Sequence, residues 1–239
     1  MVGDIYGTRD LYDFRVSVHN DLTTAELRDL LESGTDFLHY IGHVDDHGIR
    51  CIDGMLDVET IEKSGVRGFF LNGCRSYEQG EKLVEKGSQV GVVTLTKVGN
   101  EPATEVGKEL ARLLNHGFGM QSALSVVTDV NAPNRQYMII GDGSQELVDS
   151  KCGSPLIITC EEAKDGFLLE LNPYPTAKSN IGPLRTINIG DIKTKVLNST
   201  TVRQYVRREP LTEFLNADIN PVKIKNEIFW PDEITIDDL

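Results

Sequence analysis

Three uninterrupted apolar runs, each set between amphipathic segments, constrain this chain more than any other feature. DFLHYIGH (36–43), VRGFFLNG (66–73) and SQVGVVTLT (88–96) read as strands buried on both faces. Such strands belong to a mostly parallel sheet that helices cover on both sides. The segments around them carry helix signals. Thr23 and Glu26 have capping-box spacing, Leu22 and Leu27 sit at staple positions, and Leu27, Leu30 and Leu31 form a stripe that Gly34 is expected to stop. Ser76 and Gln79 repeat the capping-box spacing ahead of a helix over 77–86, before Gly87. Pro102 suits the first turn of a longer helix with Val106, Leu110, Leu113 and Leu114 on one face and Gly117 at its end. A further helix is expected over 120–127, and QYMII (136–140) reads as a fourth strand. A short helix is expected after Asp57, and a hairpin around Asp53-Gly54.

Beyond Asp149 the texture changes. ITCEE, GFLLELNPYP, RTINIG and TKVLNSTTVRQYV alternate without a convincing helix. The expected organisation is therefore an α/β domain over 1–149 followed by a β-rich C-terminal module or extension over 150–239.

Charge narrows the partners. The 239 residues include 24 basic and 37 acidic side chains, a net charge of −13, which argues against a general nucleic-acid or anionic-membrane binder. No apolar run approaches the roughly 20 residues needed to span a bilayer, and MVGDIYGTRD has no signal-peptide pattern. Four cysteines without CxxC spacing are too sparse for a disulfide scaffold, so a reducing, cytoplasmic setting is expected.

Ligands of an open parallel sheet collect beyond the carboxyl ends of its strands. His43 ends the first run and Cys74 follows the second. Consecutive strands of this kind lie side by side, which turns both residues toward one crevice. Cys74 also precedes a helix N-terminus, whose partial positive charge favours an anion. A thiol nucleophile beside an imidazole is the minimal equipment for acyl transfer. The plainer alternative is that Cys74 is a small buried hydrophobe and His43 a hydrogen-bonded structural residue.

A resemblance bears on that choice. Gly42-His43, Leu71-Asn72-Gly73-Cys74, Gly91-Val92-Val93, Ala123-Leu124 and Gly141-Asp142, in that order, resemble a CHAT domain over roughly residues 22–148. CHAT domains are related to caspases, separases and gingipains. The resemblance implies a caspase-like three-layer sandwich and a thiol protease, a hydrolase of peptide bonds using a Cys-His dyad. Its catalytic residues would be His43 and Cys74, with the backbone N–H groups of Val44 and Cys74 as oxyanion donors. It implies no cofactor and no metal, a protein or peptide substrate, and room for a regulatory protein partner. Two positions depart from the family pattern. Val44 replaces a small residue and is expected to crowd the oxyanion side, and Lys97-Val98 stand where an aromatic is usual.

Two rivals are open. His39, His43 and His47 are spaced four apart with Asp45 and Asp46 among them, a metal-like spacing if helical, but DFLHYIG does not read as a helix. The non-enzymatic reading is a catalytically silent caspase-fold interaction module within a larger assembly. GDGS (141–144) lacks phosphate-loop spacing, and no G-x-S-x-G elbow is present. Cys51 lies in the hairpin-like segment with no strand-end position, and Cys152 and Cys160 fall outside the matched region and are expected to be structural.

Overall fold

A computed structural model describes residues 15–130, 136–148, 154–176, 184–197, 200–217, 220–224, 227–231 and 233–235. The protein is mixed α/β and divides into two units, Met1–Thr128 with Ala132–Asp149, and Ser150–Leu239 with Asp129–Asn131.

The first unit opens with α1 (Thr24–Glu32), β1 (Thr35–Ile41) and a small antiparallel sheet of β2 (Val44–Asp45), β3 (Gly48–Arg50) and β4 (Met55–Leu56). It continues through β5 (Val66–Asn72), α2 (Tyr77–Glu85), β6 (Val90–Thr94), α3 (Asn100–Asn115), α4 (Met120–Val130) and β7 (Tyr137–Gly141). The three apolar runs are β1, β5 and β6. They join β7 in one sheet of order β1-β5-β6-β7.

The first two pairings are parallel and the last is antiparallel. Two helices, α3 and α4, separate β6 from β7, and an even number of helical passes returns the chain in the opposite sense. Residues of β5 alternate between two buried faces. Phe69 and Leu71 join Leu27 and Leu31 of α1, Leu83 of α2 and Val93 in one core cluster. Phe70 and Asn72 point the other way, where Phe70 meets the rings of His39 and Tyr137 and Asn72 binds Ala103 of α3. Helices therefore lie on both faces. Burying each of the two phenylalanines contributes about 1.5–3 kcal/mol.

Local signals account for most element ends. The Thr23–Glu26 capping box forms in both directions, with Thr23 N–H donating to Glu26 Oε2 at 2.8 Å and Glu26 N–H to Thr23 Oγ1 at 3.3 Å. Ser33 rather than Gly34 stops α1: its backbone is extended, and its hydroxyl donates to the Leu30 carbonyl at 2.8 Å. The helix expected after Asp57 is only a 3-10 turn, Val58–Thr60. The second capping box does not form, because tertiary partners claim both of its side chains. Gln79, fully buried, accepts the Val58 N–H at 2.9 Å and donates to the Asp46 carbonyl at 3.3 Å.

The second unit is β-rich. It holds β8 (Leu156–Ala163), β9 (Gly166–Pro173), β10 (Leu184–Ile189), β11 (Ile192–Leu197), β12 (Val202–Val206), α5 (Arg208–Ala217), β13 (Val222–Ile224) and β14 (Glu227–Phe229). One sheet has the order β12-β9-β8-β13-β14, and β10 and β11 form a separate antiparallel pair. The helix α5 corrects the expectation of a helix-free extension. Its signal was legible: Pro210 in the first turn, then Leu211, Phe214 and Leu215 on one stripe, with Leu211 and Leu215 buried in the core of this unit. Among the described residues no helix is long and apolar enough to cross a membrane.

Candidate active site

Parallel register places the two predicted site residues at one level. Ile41 of β1 pairs with Asn72 of β5, and the Gly42 N–H reaches the Asn72 carbonyl at 3.4 Å. His43 and Cys74 each lie two residues past that pair, at the carboxyl ends of neighbouring strands. The chains approach closely there. A Cβ on Gly73 would stand 2.6 Å from the Gly42 carbonyl oxygen and 2.8 Å from Val44 Cγ2, so only glycine fits between them. Gly73→Ala is expected to lower stability by about 1–3 kcal/mol. Because it wedges apart the two strand ends, it should also slow alkylation of Cys74, which a urea melt and a thiol-labelling rate together would show.

Val44 does not crowd the site. Its side chain is buried, directed into the core beside Ile49, and fills the space that Gly73 leaves open. Its amide is left out of the β2–β3 ladder. Arg50 N–H donates to the His43 carbonyl at 2.9 Å, so His43 and Arg50 are a hydrogen-bonded pair of the β2–β3 ladder. Such pairs alternate with non-hydrogen-bonded ones, which turns the Val44 N–H away from β3. Among the described residues the Cys74 N–H has no acceptor. Both amides are thus available to an incoming oxygen.

The loop carrying Cys74 is held from below. Arg75 has φ 51°, a left-handed conformation costly for a residue with a side chain. Its N–H donates to the Thr96 carbonyl at 3.2 Å. Ser76 and Thr94, both fully buried, clamp the turn. The Ser76 hydroxyl donates to the Leu71 carbonyl at 2.8 Å and accepts the Thr94 N–H at 2.9 Å, while the Thr94 hydroxyl donates to the Gly73 carbonyl. Asn72 braces the strand end: it donates to the Ala103 carbonyl at 2.8 Å and accepts the Tyr137 hydroxyl at 3.0 Å. Burial, and then the nearness of Cys74, raise the Tyr137 pKa, which keeps its phenol a donor.

The reactive groups themselves are partly open to solvent. The Cys74 thiol, half-buried, donates to the Val98 carbonyl at 3.7 Å. The His43 ring is 60% exposed, and its Nε2 lies 3.3 Å from Asp45 Oδ2. The ring and the thiol are not hydrogen-bonded to each other.

The remaining candidates separate from this place. His39 is stacked on Phe70 at 4.6 Å, and burial lowers its pKa to about 3. His47 is exposed on the turn between β2 and β3. Among the described residues no three His, Cys, Asp or Glu side chains converge as metal ligands would. Cys51 is buried with its thiol 3.7 Å from the Ile49 carbonyl, and burial pushes the Cys160 thiol up to about 12. Cys152 lies outside the described residues. Gly141-Asp142 is an architectural turn: Gly141 has φ +78°, and Asp142 accepts the Ser144 N–H at 3.0 Å and the Gln145 side-chain amide at 2.7 Å.

Sequence reasoning missed Ser76, Thr94, Tyr137 and Asp45. Ser76 carried a misleading signal, its cap spacing. Thr94, a polar residue ending an apolar strand, carried a weak one, and Tyr137 none. Neither a protein-family model nor a curated protein sequence matches this chain.

Proposed function

We propose that the first unit is a caspase-like cysteine endopeptidase domain of the CHAT type, with His43 and Cys74 as its catalytic pair. One observation supports the reading: the Ile41–Asn72 register brings His43 and Cys74 each two residues beyond a paired position at the carboxyl ends of neighbouring parallel strands. In the three-layer arrangement of such a domain, helices on both faces leave that sheet edge as the place where substrate meets backbone.

The chemistry follows from the residues present. His43 takes the proton from the Cys74 thiol, and the sulfur attacks the scissile carbonyl. The developing oxyanion is received by the Cys74 and Val44 N–H groups, which have no competing partner to give up. His43, now an imidazolium, protonates the leaving amine, and water then releases the acyl group from sulfur. The left-handed turn at Arg75 and the Ser76–Thr94 clamp hold the nucleophile while these steps proceed.

A second reading, a silent interaction module on the same fold, is favoured by the resting contacts, since thiol and imidazole each bind another partner. Peptidyl electrophiles differing at the residue before the warhead separate the two. A protease is expected to form a single adduct at Cys74 with clear preference among the peptides, lost in His43→Ala. Labelling that is no faster than that of Cys51 and Cys160, without peptide preference, would establish the module.

A further inference from the structure

The hairpin that follows His43 carries a carboxylate in contact with the imidazole, which the dyad mechanism above does not use. Asp45 Oδ2 lies 3.3 Å from His43 Nε2, and Asp45 Oδ1 accepts the backbone N–H of His47 at 2.8 Å. The second bond fixes the carboxyl within its own turn, where Asp45 pairs with Gly48. The His47 N–H, and after it the His43 contact, hold the Asp45 pKa below the usual carboxylate value. Asp45 is therefore ionised wherever the imidazole is neutral. An ionised carboxylate only accepts hydrogen bonds. The proton of the neutral ring must then sit on Nε2, leaving the Nδ1 lone pair free.

We infer that Asp45 is a positioning residue for His43, accepting the Nε2–H and presenting Nδ1 to the Cys74 thiol as proton acceptor. The inference rests on reading His43 and Cys74 as a dyad. The proton moves from Cys74 Sγ to His43 Nδ1, the Nε2 proton stays on the ring, and the imidazolium then donates to the carboxylate with full charge complementarity. The other ionisable or charged groups on the segments adjoining His43 are Asp46, His47 and Arg50 on the hairpin, Tyr40 on β1, whose hydroxyl donates to the His43 carbonyl at 3.1 Å, and Cys74 and Arg75 past the end of β5. Asp45 is the carboxylate whose oxygen meets His43 Nε2.

The test uses Asp45→Asn in the full chain, since asparagine keeps an acceptor for the His47 N–H. Two readouts are taken: the tautomer of the neutral His43 ring by nitrogen-resolved NMR, and the rate of Cys74 alkylation by iodoacetamide. In the wild type the Nε2–H tautomer is expected. In Asp45→Asn the tautomers should mix, and alkylation at pH 7 should slow about three- to tenfold. An Nδ1–H tautomer in the wild type, or an unchanged tautomer ratio in the variant, overturns the inference. Failure of the dyad reads differently. If Asp45→Asn mixes the His43 tautomers while His43→Ala leaves Cys74 alkylation untouched, Asp45 orients the ring as inferred and the proposed protease chemistry is wrong.

Discussion

Cys74→Ala protein is expected to lose peptide cleavage completely while melting in urea close to the wild type. The two results separate because of where the sulfur sits. Cys74 lies past the end of β5, half-exposed, and its thiol donates to the Val98 carbonyl at 3.7 Å. Removing it empties no core. Its chemical role has no substitute, since among the described residues Cys51 and Cys160 are buried elsewhere. His43→Ala should reduce turnover by about 10²–10⁴, the range of a lost general acid and base. Its fold should also survive, because the ring is 60% exposed and its neighbour Asp45 keeps the His47 bond. The double variant should be no worse than Cys74→Ala alone, as groups acting as one unit are not additive. The assay is cleavage of a fluorogenic peptide matched to the preferred electrophile. Residual cleavage by Cys74→Ala would sink the assignment, and His43→Ala protein that cleaves as fast as the wild type would mean that His43 is not the partner of Cys74.

Two of the three apolar runs, β5 and β6, were legible because burial on both faces leaves a continuous signal that local competition cannot disguise. The third, β1, carries the same pattern as a half-buried edge strand with Ile41 exposed, which corrects its reading as a strand buried on both faces. The strand end was legible for a related reason. Once β1 and β5 are parallel neighbours, topology alone brings His43 and Cys74 to the same edge. What escaped was whatever depended on which partner a polar side chain chooses. Ser76 and Gln79 have the spacing of a capping box, yet each is buried and bonds across the fold. Spacing reports who can reach whom along one helix and says nothing about competitors from other elements. Val44 misled in the opposite sense. As a lone substitution it suggested crowding, but Gly73 opposite makes room for it, a pairing visible only when the strands are laid side by side. In the second unit α5 was obscured by its surroundings, since ten helical residues between alternating segments are easily absorbed into them.

Acid should weaken the first unit through His39, in a pH range where its carboxylates are still ionised. The ring lies on the face of β1 toward α3, stacked on Phe70 at 4.6 Å, and a Cβ on Gly107 would stand 3.2 Å from its Cε1, so the helix closes over it. The residue keeps some exposed surface, but its Nε2 is enclosed. Burial depresses the folded-state pKa to about 3, against 6.5 for an ordinary histidine. Between those values the unfolded chain binds a proton that the folded one refuses, so stability is intact above pH 6.5 and falls as the pH drops. Each pH unit in that window costs about 1.4 kcal/mol. From pH 6.5 to 5 the loss approaches about 2 kcal/mol, less whatever the partial exposure relieves. Asp45, Asp53 and Asp57 also have lowered pKa values, but their ordinary value of 3.8 confines their contribution to more acid conditions. His39→Phe replaces the imidazole by a ring of similar shape that cannot titrate and can stack on Phe70. Urea melts at pH 7 and pH 5 should therefore show a gap in unfolding free energy smaller by about 2 kcal/mol in the variant than in the wild type. An equal gap in both proteins would mean that His39 takes up its proton in the folded state, and that α3 opens to let it do so.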